Sequence, residues 1–376
     1  MAVTWPLEPA TEAKHRLYKR YLDAWFPIFL QQAWVERVTY VDAFAGPGEY
    51  EGGEDGSPVL ALDRLLNHES RARMNLSRDR VTLIFIEGDA ARYRHLSELL
   101  VSRFGPLDQL PVTVIVKHGR AEADTIPLLT HVGAWGSPIL AVFDSWGNVG
   151  VPWGHLRDIA ANRSSEVIVT FGPNWFSRRE AEEPQKLDDV FGGSQYWTPS
   201  DKALESKERW RFWLETYRSA VIRAGFNYCI PFEVVPQTGQ PLELVFGTGH
   251  ESGVSAFKDA MWNVDQSDGM RFSDPRTTIA KRAAMAAMRP TLFDNLDAPD
   301  PELLAFIVDG LVAGPRSLDG IRDYLLRETA RWLPKHASGA VKYLIEEGRL
   351  RQSPETARLT KTSLLEIPSQ PAISGI

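Results

Sequence analysis

The chain has 376 residues, 43% of them hydrophobic, enough to bury a large core and, by ordinary domain length, to fold as two or three domains. Its formal net charge of −7 supplies no overall basic field to draw it onto nucleic acid or an anionic membrane, which leaves only local patches for such contacts. The single cysteine, Cys229, excludes an internal disulfide and multi-cysteine metal sites, and no basic-then-apolar leader or long apolar run occurs, so the expectation is a soluble, cytoplasmic protein with no membrane partner and no metal centre.

From residue 10 to 36, Leu17, Tyr21, Leu22, Trp25, Phe26 and Phe29 recur at helical spacing, with Lys14, Arg16, Lys19 and Arg20 between them. The pattern predicts an amphipathic helix, bent or interrupted near Pro27. Lys14 and His15 stand at its start, where a solvated helix face is the expected reading and a reach toward a nearby site the other.

The run Val38 to Asp42 then breaks into Ala43-Phe44-Ala45-Gly46-Pro47-Gly48. It reads as a buried strand that delivers backbone into a site, with Gly46 and Gly48 admitting close approach to a ligand and Asp42 placed to face a polar cofactor group. An ordinary strand-to-loop turn is the plain alternative. Ser57 is expected to cap the next helix, with Pro58 at its first position. A second strand, Val81 to Glu87, ends in another acid, where a doubly wound fold places a carboxylate that accepts from ribose hydroxyls, and residues 90–103 continue as a helix.

Further strands are expected at 112–116, 139–143 and 166–171, with a loop from Lys117 through Gly119, Ala121 and Glu122 after the third and Asp144-Ser145-Trp146-Gly147 after the fourth. Apolar strands separated by helices indicate an α/β fold: a Rossmann-like parallel sheet with helices on both faces and its site along the strands' carboxyl ends. Residues 174–200 are polar and turn-rich, as an insertion or lid would be. A helix over 201–225, a strand pair at 228–235 and 242–246 closing the sheet with an antiparallel edge, and a short helix at 257–265 complete this domain.

Beyond residue 300 three helical patterns precede Arg349 to Gln352 and Ala357 to Thr360, a predicted hairpin. Three helices and a hairpin describe a winged-helix-like domain, suited to nucleic acid or to protein contact. The expected boundaries are an N-terminal helical segment at 1–36, the sheet domain at 37–280 and the winged-helix-like domain at 290–365.

The Gly loop lacks the third glycine of a dinucleotide fingerprint, and no P-loop, His-Glu-x-x-His or Gly-x-Ser-x-Gly pattern occurs. The remaining groups suit S-adenosylmethionine (SAM): its amino-acid end at Phe44, Ala45, Gly46, Gly48 and Ser57 beside Asp42, its ribose at Glu87, and its adenine near Gly119, Ala121 and Glu122. In the segment Asp144-Ser145-Trp146-Gly147, Asp144 is placed to accept from an amine and Trp146 to stack on a planar acceptor, while a plain strand end is the other reading of Asp144.

The chain resembles the three-Cys-motif partner proteins, a bacterial family classed with SAM-dependent methyltransferases. The likeness runs through Leu7 to His15, Tyr21 to Trp25, Tyr40 to Gly48, Gly56-Ser57-Pro58, Ala260 to Asp265 and the helices around His336 to Gly348. It implies a class I methyltransferase sheet, SAM as cofactor and a three-Cys-motif protein as partner. That family usually shows Asp-Pro-Phe-Gly after strand four, a motif like that of tRNA guanine-N2 methyltransferases, while Ala-Gly-x-Gly with Gly-Ser-Pro is similar to rRNA adenine-N6 enzymes. Both analogies imply an exocyclic amine of a nucleic acid base, RNA before DNA. This chain has Ser145 and Trp146 where the family has Pro and Phe, which brings a different acceptor, or a silent protein, into consideration.

Overall fold

The computed structural model describes residues 3–147, 151–265, 269–276, 299–329, 331–354 and 358–368. The chain divides into two units, Met1–Ala283 and Ala284–Ile376.

The first unit opens with α1 (Pro9–Leu30), which runs through Pro27 and ends at Leu30. The expected break is absent for a local reason. Proline at position 27 cannot bond to the carbonyl of Asp23, and His68 takes that oxygen through Nε2 at 3.0 Å, while its Nδ1 accepts from Ser70 N at 2.9 Å. The freed carbonyl is therefore satisfied from outside the helix.

The elements that follow are β1 (Val38–Asp42), α2 (Ser57–Leu66), α3 (Arg71–Met74), β2 (Val81–Glu87), α4 (Ala90–Phe104), β3 (Thr113–His118), α5 (Ala121–His131), β4 (Ile139–Gly147), α6 (Trp153–Ala160) and β5 (Glu166–Phe171). After these come α7 (Pro173–Arg179), α8 (Pro184–Phe191), α9 (Ser206–Ala224), β6 (Tyr228–Val235), β7 (Leu242–Thr248), α10 (Glu251–Val264) and β8 (Arg271–Ser273). Among the described residues the strands form one sheet in the order β3-β2-β1-β4-β5-β7-β6-β8. β1 to β5 are parallel, and β7 runs antiparallel to both β5 and β6. The antiparallel strand is thus interior rather than the expected edge. The β6–β7 hairpin folds back so that β7 slots beside β5, and β8 pairs parallel to the outer side of β6.

Leu129, Leu156, Phe191 and Trp213 cover one face of this Rossmann-like sheet. On the other, Tyr21 of α1 packs edge-on against Phe246 of β7 and Phe257 of α10. Residues 174–200 are not a polar lid. Phe176, Leu187, Val190 and Phe191 enter the core with Trp213, because their apolar side chains find the aromatic face of α9.

The second unit contains helices Pro301–Leu311, Leu318–Glu328 and Ala337–Glu346, packed through Ile307, Ile321, Leu325, Val341 and Leu344. Three short antiparallel strands join them, Arg351–Ser353 pairing with Leu364–Glu366, and the latter with Arg316–Ser317. The returning strand therefore lies later than the expected Ala357–Thr360, of which Ala357 falls outside the described residues. Among the described residues no helix is long and apolar enough to cross a membrane.

Candidate active site at the sheet switch point

Strand order reverses between β1 and β4, so their carboxyl ends open a crevice where doubly wound folds hold ligands. The loop after β1 is built around glycines. Gly46 and Gly48 adopt φ of +65° and +87°, which other residues resist. Gly56 donates its N–H to the Gly48 carbonyl at 2.7 Å, so close that a Cβ at Gly56 would stand 2.8 Å from that backbone.

Ser57 does not cap α2. Gly56 occupies the cap position, and the Ser57 hydroxyl instead donates to Asp42 Oδ2 at 2.6 Å, while Phe44 N donates to Oδ1 at 3.2 Å. Asp42 is 1% exposed, and burial pushes its carboxyl up to about 6 despite those two bonds. It ties the loop to its own strand.

A cavity of about 340 Å³ lies beyond this loop. Of the expected residues, Phe44, Gly46, Glu87, Gly119, Ala121, Glu122, Asp144 and Ser145 line it, together with Trp5, Arg92 and Arg120. Ala45, Gly48 and Ser57 line a small adjoining hollow with Lys14 and His15. Glu87 ends β2 almost fully buried; Oε1 accepts from Asp89 N at 2.7 Å, and among the described residues Oε2 has no hydrogen-bond partner. Ala121 and Glu122 belong to the first turn of α5 rather than to a loop, and the Glu122 carboxylate is drawn to Arg120. Arg92 stands over the Trp5 ring at 5.0 Å on the rim.

Asp144 lies within β4, not after it. The strand continues through Gly147, with its register against β5 shifting between Phe143 and Gly147, as at a β-bulge. The side chain of Trp146 lies outside the described residues, as does that part of the expected stacking. Lys14 Nζ donates to Asp144 Oδ1 at 2.8 Å and Oδ2 at 2.6 Å, Thr170 Oγ1 to Oδ1 at 2.7 Å, and Tyr18 OH to Oδ2 at 3.1 Å. A carboxylate has about four acceptor sites, and four protein donor contacts meet this one. Burial alone would raise the Asp144 carboxyl, but the charge and hydrogen bonds of Lys14, with those of Thr170 and Tyr18, hold it below the usual range.

The solvated-face reading of Lys14 is corrected here: the residue is 1% exposed. Lys14, Tyr18, Tyr21 and Trp25 share one helix face, so the lysine extends the buried aromatic stripe, and that spacing was a readable signal. Burial and the neighbouring Lys14 charge lower His15 to about 4, so its imidazole is neutral. Sequence reasoning also missed Tyr18, Thr170 and Trp5, for which only the folded arrangement supplies a signal.

No protein-family model and no curated protein sequence matches the chain. Among solved structures it is similar to Trm1 from Pyrococcus horikoshii in complex with S-adenosyl-L-methionine, at 10% identity over 96% of this chain and 92% of that one, with a TM-score of 0.40. It is also similar to the N-terminal domain of EvdMO1 with SAH bound, at 14% identity over 65% of this chain and 83% of that one, TM-score 0.32. A geranyl diphosphate methyltransferase in complex with GPP and sinefungin aligns at 13% identity over 60% and 78% of the two chains, TM-score 0.30. Against the larger EvdMO1 structure the match takes in 43% of that chain's length. The Rossmann-like assignment rests on the strand order and the crevice.

Proposed function

We propose that the first unit is a SAM-dependent methyltransferase domain. One observation carries the reading: at the switch point, beside a loop with positive-φ glycines, Glu87 presents to a cavity of about 340 Å³ a carboxylate oxygen that has no hydrogen-bond partner among the described residues. A buried acceptor of this kind suits the two hydroxyls of a ribose. Gly46 and Phe44 would border the amino-acid end, and Gly88, Gly119 and Ala121 the adenine. SAM supplies an electrophilic methyl group on a sulfonium sulfur. What the chain contributes is position: the loop tied by Asp42 and Ser57 fixes one reactant, and β4 at Asp144 and Ser145 borders the other, the alignment that accounts for much of such acceleration.

The acceptor we favour is an exocyclic amine of a nucleic acid base, RNA before DNA. The three helices and three short strands of the second unit support a winged-helix-like module for substrate contact, and the resemblance to three-Cys-motif partner proteins adds such a protein as a partner. A second reading, a SAM-binding protein without catalysis, is favoured by the Asp144 oxygens, whose acceptor sites are met by Lys14, Thr170 and Tyr18.

Two experiments test these readings. Calorimetry should show SAM binding that is lost in Gly48→Arg; no binding by the wild type would refute the cofactor assignment. Radiolabelled SAM with RNA, DNA and small-molecule fractions should label RNA, and tight binding with no label in any fraction would establish the silent reading.

A further inference from the structure

A separate cavity of about 180 Å³ opens at the opposite edge of the sheet, between the second half of α1, the start of β5 and the first turn of α10. Tyr21, Trp25, Phe29, Trp34, Glu166 and His250 are among its lining residues. Glu166 is the first residue of β5, whereas Thr170, bonded to Asp144, comes four residues later, roughly 13 Å along the strand. The cavity is therefore distinct from the crevice at the carboxyl ends.

Its floor is an isolated acid. Glu166 is 2% exposed and accepts from Tyr21 OH at 2.6 Å and Thr248 Oγ1 at 2.7 Å. Among the described residues no Lys, Arg or His forms an ion pair with it. Helix α10 packs directly onto the group, since a Cβ added at Gly253 would collide with Oε1. Burial pushes the carboxyl up to about 7 even though hydroxyl bonds work against the rise. A buried carboxylate without a cation is costly, and a cation delivered to it recovers much of that cost.

The walls select the kind of cation. Hard metal ions need several oxygen ligands, usually with more than one carboxylate; Glu166 is the single carboxylate in this lining, beside Gln32, Ser164 and Ser252, and among the described residues no group of three or more His, Cys, Asp or Glu is placed to hold a metal. Aromatic rings attract organic cations, and Trp34 already does so on one face, where Arg163 stands 4.1 Å from the ring centroid. Trp25 and Phe29 meet edge to face at 5.3 Å and form a continuous apolar wall.

We propose that this cavity binds a small alkylammonium group, with Glu166 as counter-ion and Tyr21, Trp25, Phe29 and Trp34 as aromatic walls. The site is independent of the methyltransferase reading.

The test is a tryptophan-fluorescence and calorimetric titration of the full chain, without SAM. The ligands are choline and its uncharged carbon isostere, in which a tert-butyl group replaces trimethylammonium. Choline should saturate and bind about tenfold more tightly than the isostere. Glu166→Gln should weaken choline about tenfold and leave the isostere unchanged. Equal affinity for the two ligands, no saturable response to choline, or unaltered choline binding in Glu166→Gln overturns the proposal. Should Glu166→Gln fail to fold by circular dichroism, Trp34→Leu, at a half-exposed ring, decides: choline binding should fall severalfold, and unchanged binding overturns the proposal.

Discussion

Lys14 on α1 and Asp144 on β4 form a buried ion pair, 2.6 Å from Nζ to Oδ2, between residues 130 positions apart in sequence. The same helix face meets Glu166 through Tyr21 at the amino end of β5, so α1 runs antiparallel to β4 and β5 and touches an acid toward either end of those strands. Replacing Lys14 with Met would leave the Asp144 carboxylate buried without its cation. We expect a loss of about 3–5 kcal/mol in urea denaturation, with most of it recovered in the Lys14→Met/Asp144→Leu double variant. Equal losses in the single and double variants would show that the pair is not the source.

Gly48 carries φ of +87°, and an added Cβ would press on the side chains of Leu96 and Leu99. Those two can shift, but the backbone strain cannot be relieved in this way. Gly48→Ala should cost about 1–3 kcal/mol of stability and weaken SAM binding. Thermal denaturation with and without SAM measures both effects, and an unchanged Tm in each condition would contradict the strained-loop account.

If Glu87 holds ribose hydroxyls, Glu87→Gln exchanges a charged acceptor for a neutral one, and affinity for SAM should fall about tenfold. Calorimetry gives the number. Its stability should change little by comparison, because the Gln side-chain oxygen can still accept from Asp89 N.

Glu243 lies on β7 opposite Glu233 of β6. Burial, then the nearby Glu233, raises its carboxyl to about 8, against the lowering effect of Arg271 and Arg218. A raised folded-state value means that the folded chain holds a proton which the unfolded chain releases above about 4.5. The associated stability is present below that pH and is lost as pH rises through about 8. Glu243→Gln should therefore raise Tm by a few degrees at alkaline pH, at about 2–4 °C per kcal/mol, with the gain shrinking in acid. A gain that grows toward acid would reverse the sign and refute the assignment.

The parallel strands were readable because Leu83 to Ile86 and Val167 to Val169 are unbroken apolar runs within β-branched and aromatic stretches that end beside loops. The position of β7 was not. Leu242 to Thr248 reads the same as an edge or an interior strand, and only the fold-back of the hairpin decides between them. Glu87 and the Gly46 loop could be placed at the cavity from their strand-end positions alone. Lys14 could not be assigned with the same ease: its charge suggests water, while its register with Tyr18, Tyr21 and Trp25 points inward, and register prevailed because Asp144 waited there. Ser57 shows a local rule overtaken by a tertiary one, its hydroxyl being drawn from the helix start to Asp42.

The docking of α1 also sets an order of events during synthesis. The helix is translated long before its partners: Tyr18 meets Asp144 across 126 residues, and Tyr21 meets Glu166 across 145. Until β4 and β5 have been made and laid into the sheet, Lys14 and Tyr21 lack the acids they bond, and contacts of such separation close late. The nascent chain thus carries an aromatic helix with its acid partners still unmade while the intervening 126 to 145 residues are added, a natural handle for a chaperone, and the Lys14–Asp144 pair can form only once that interval has ended.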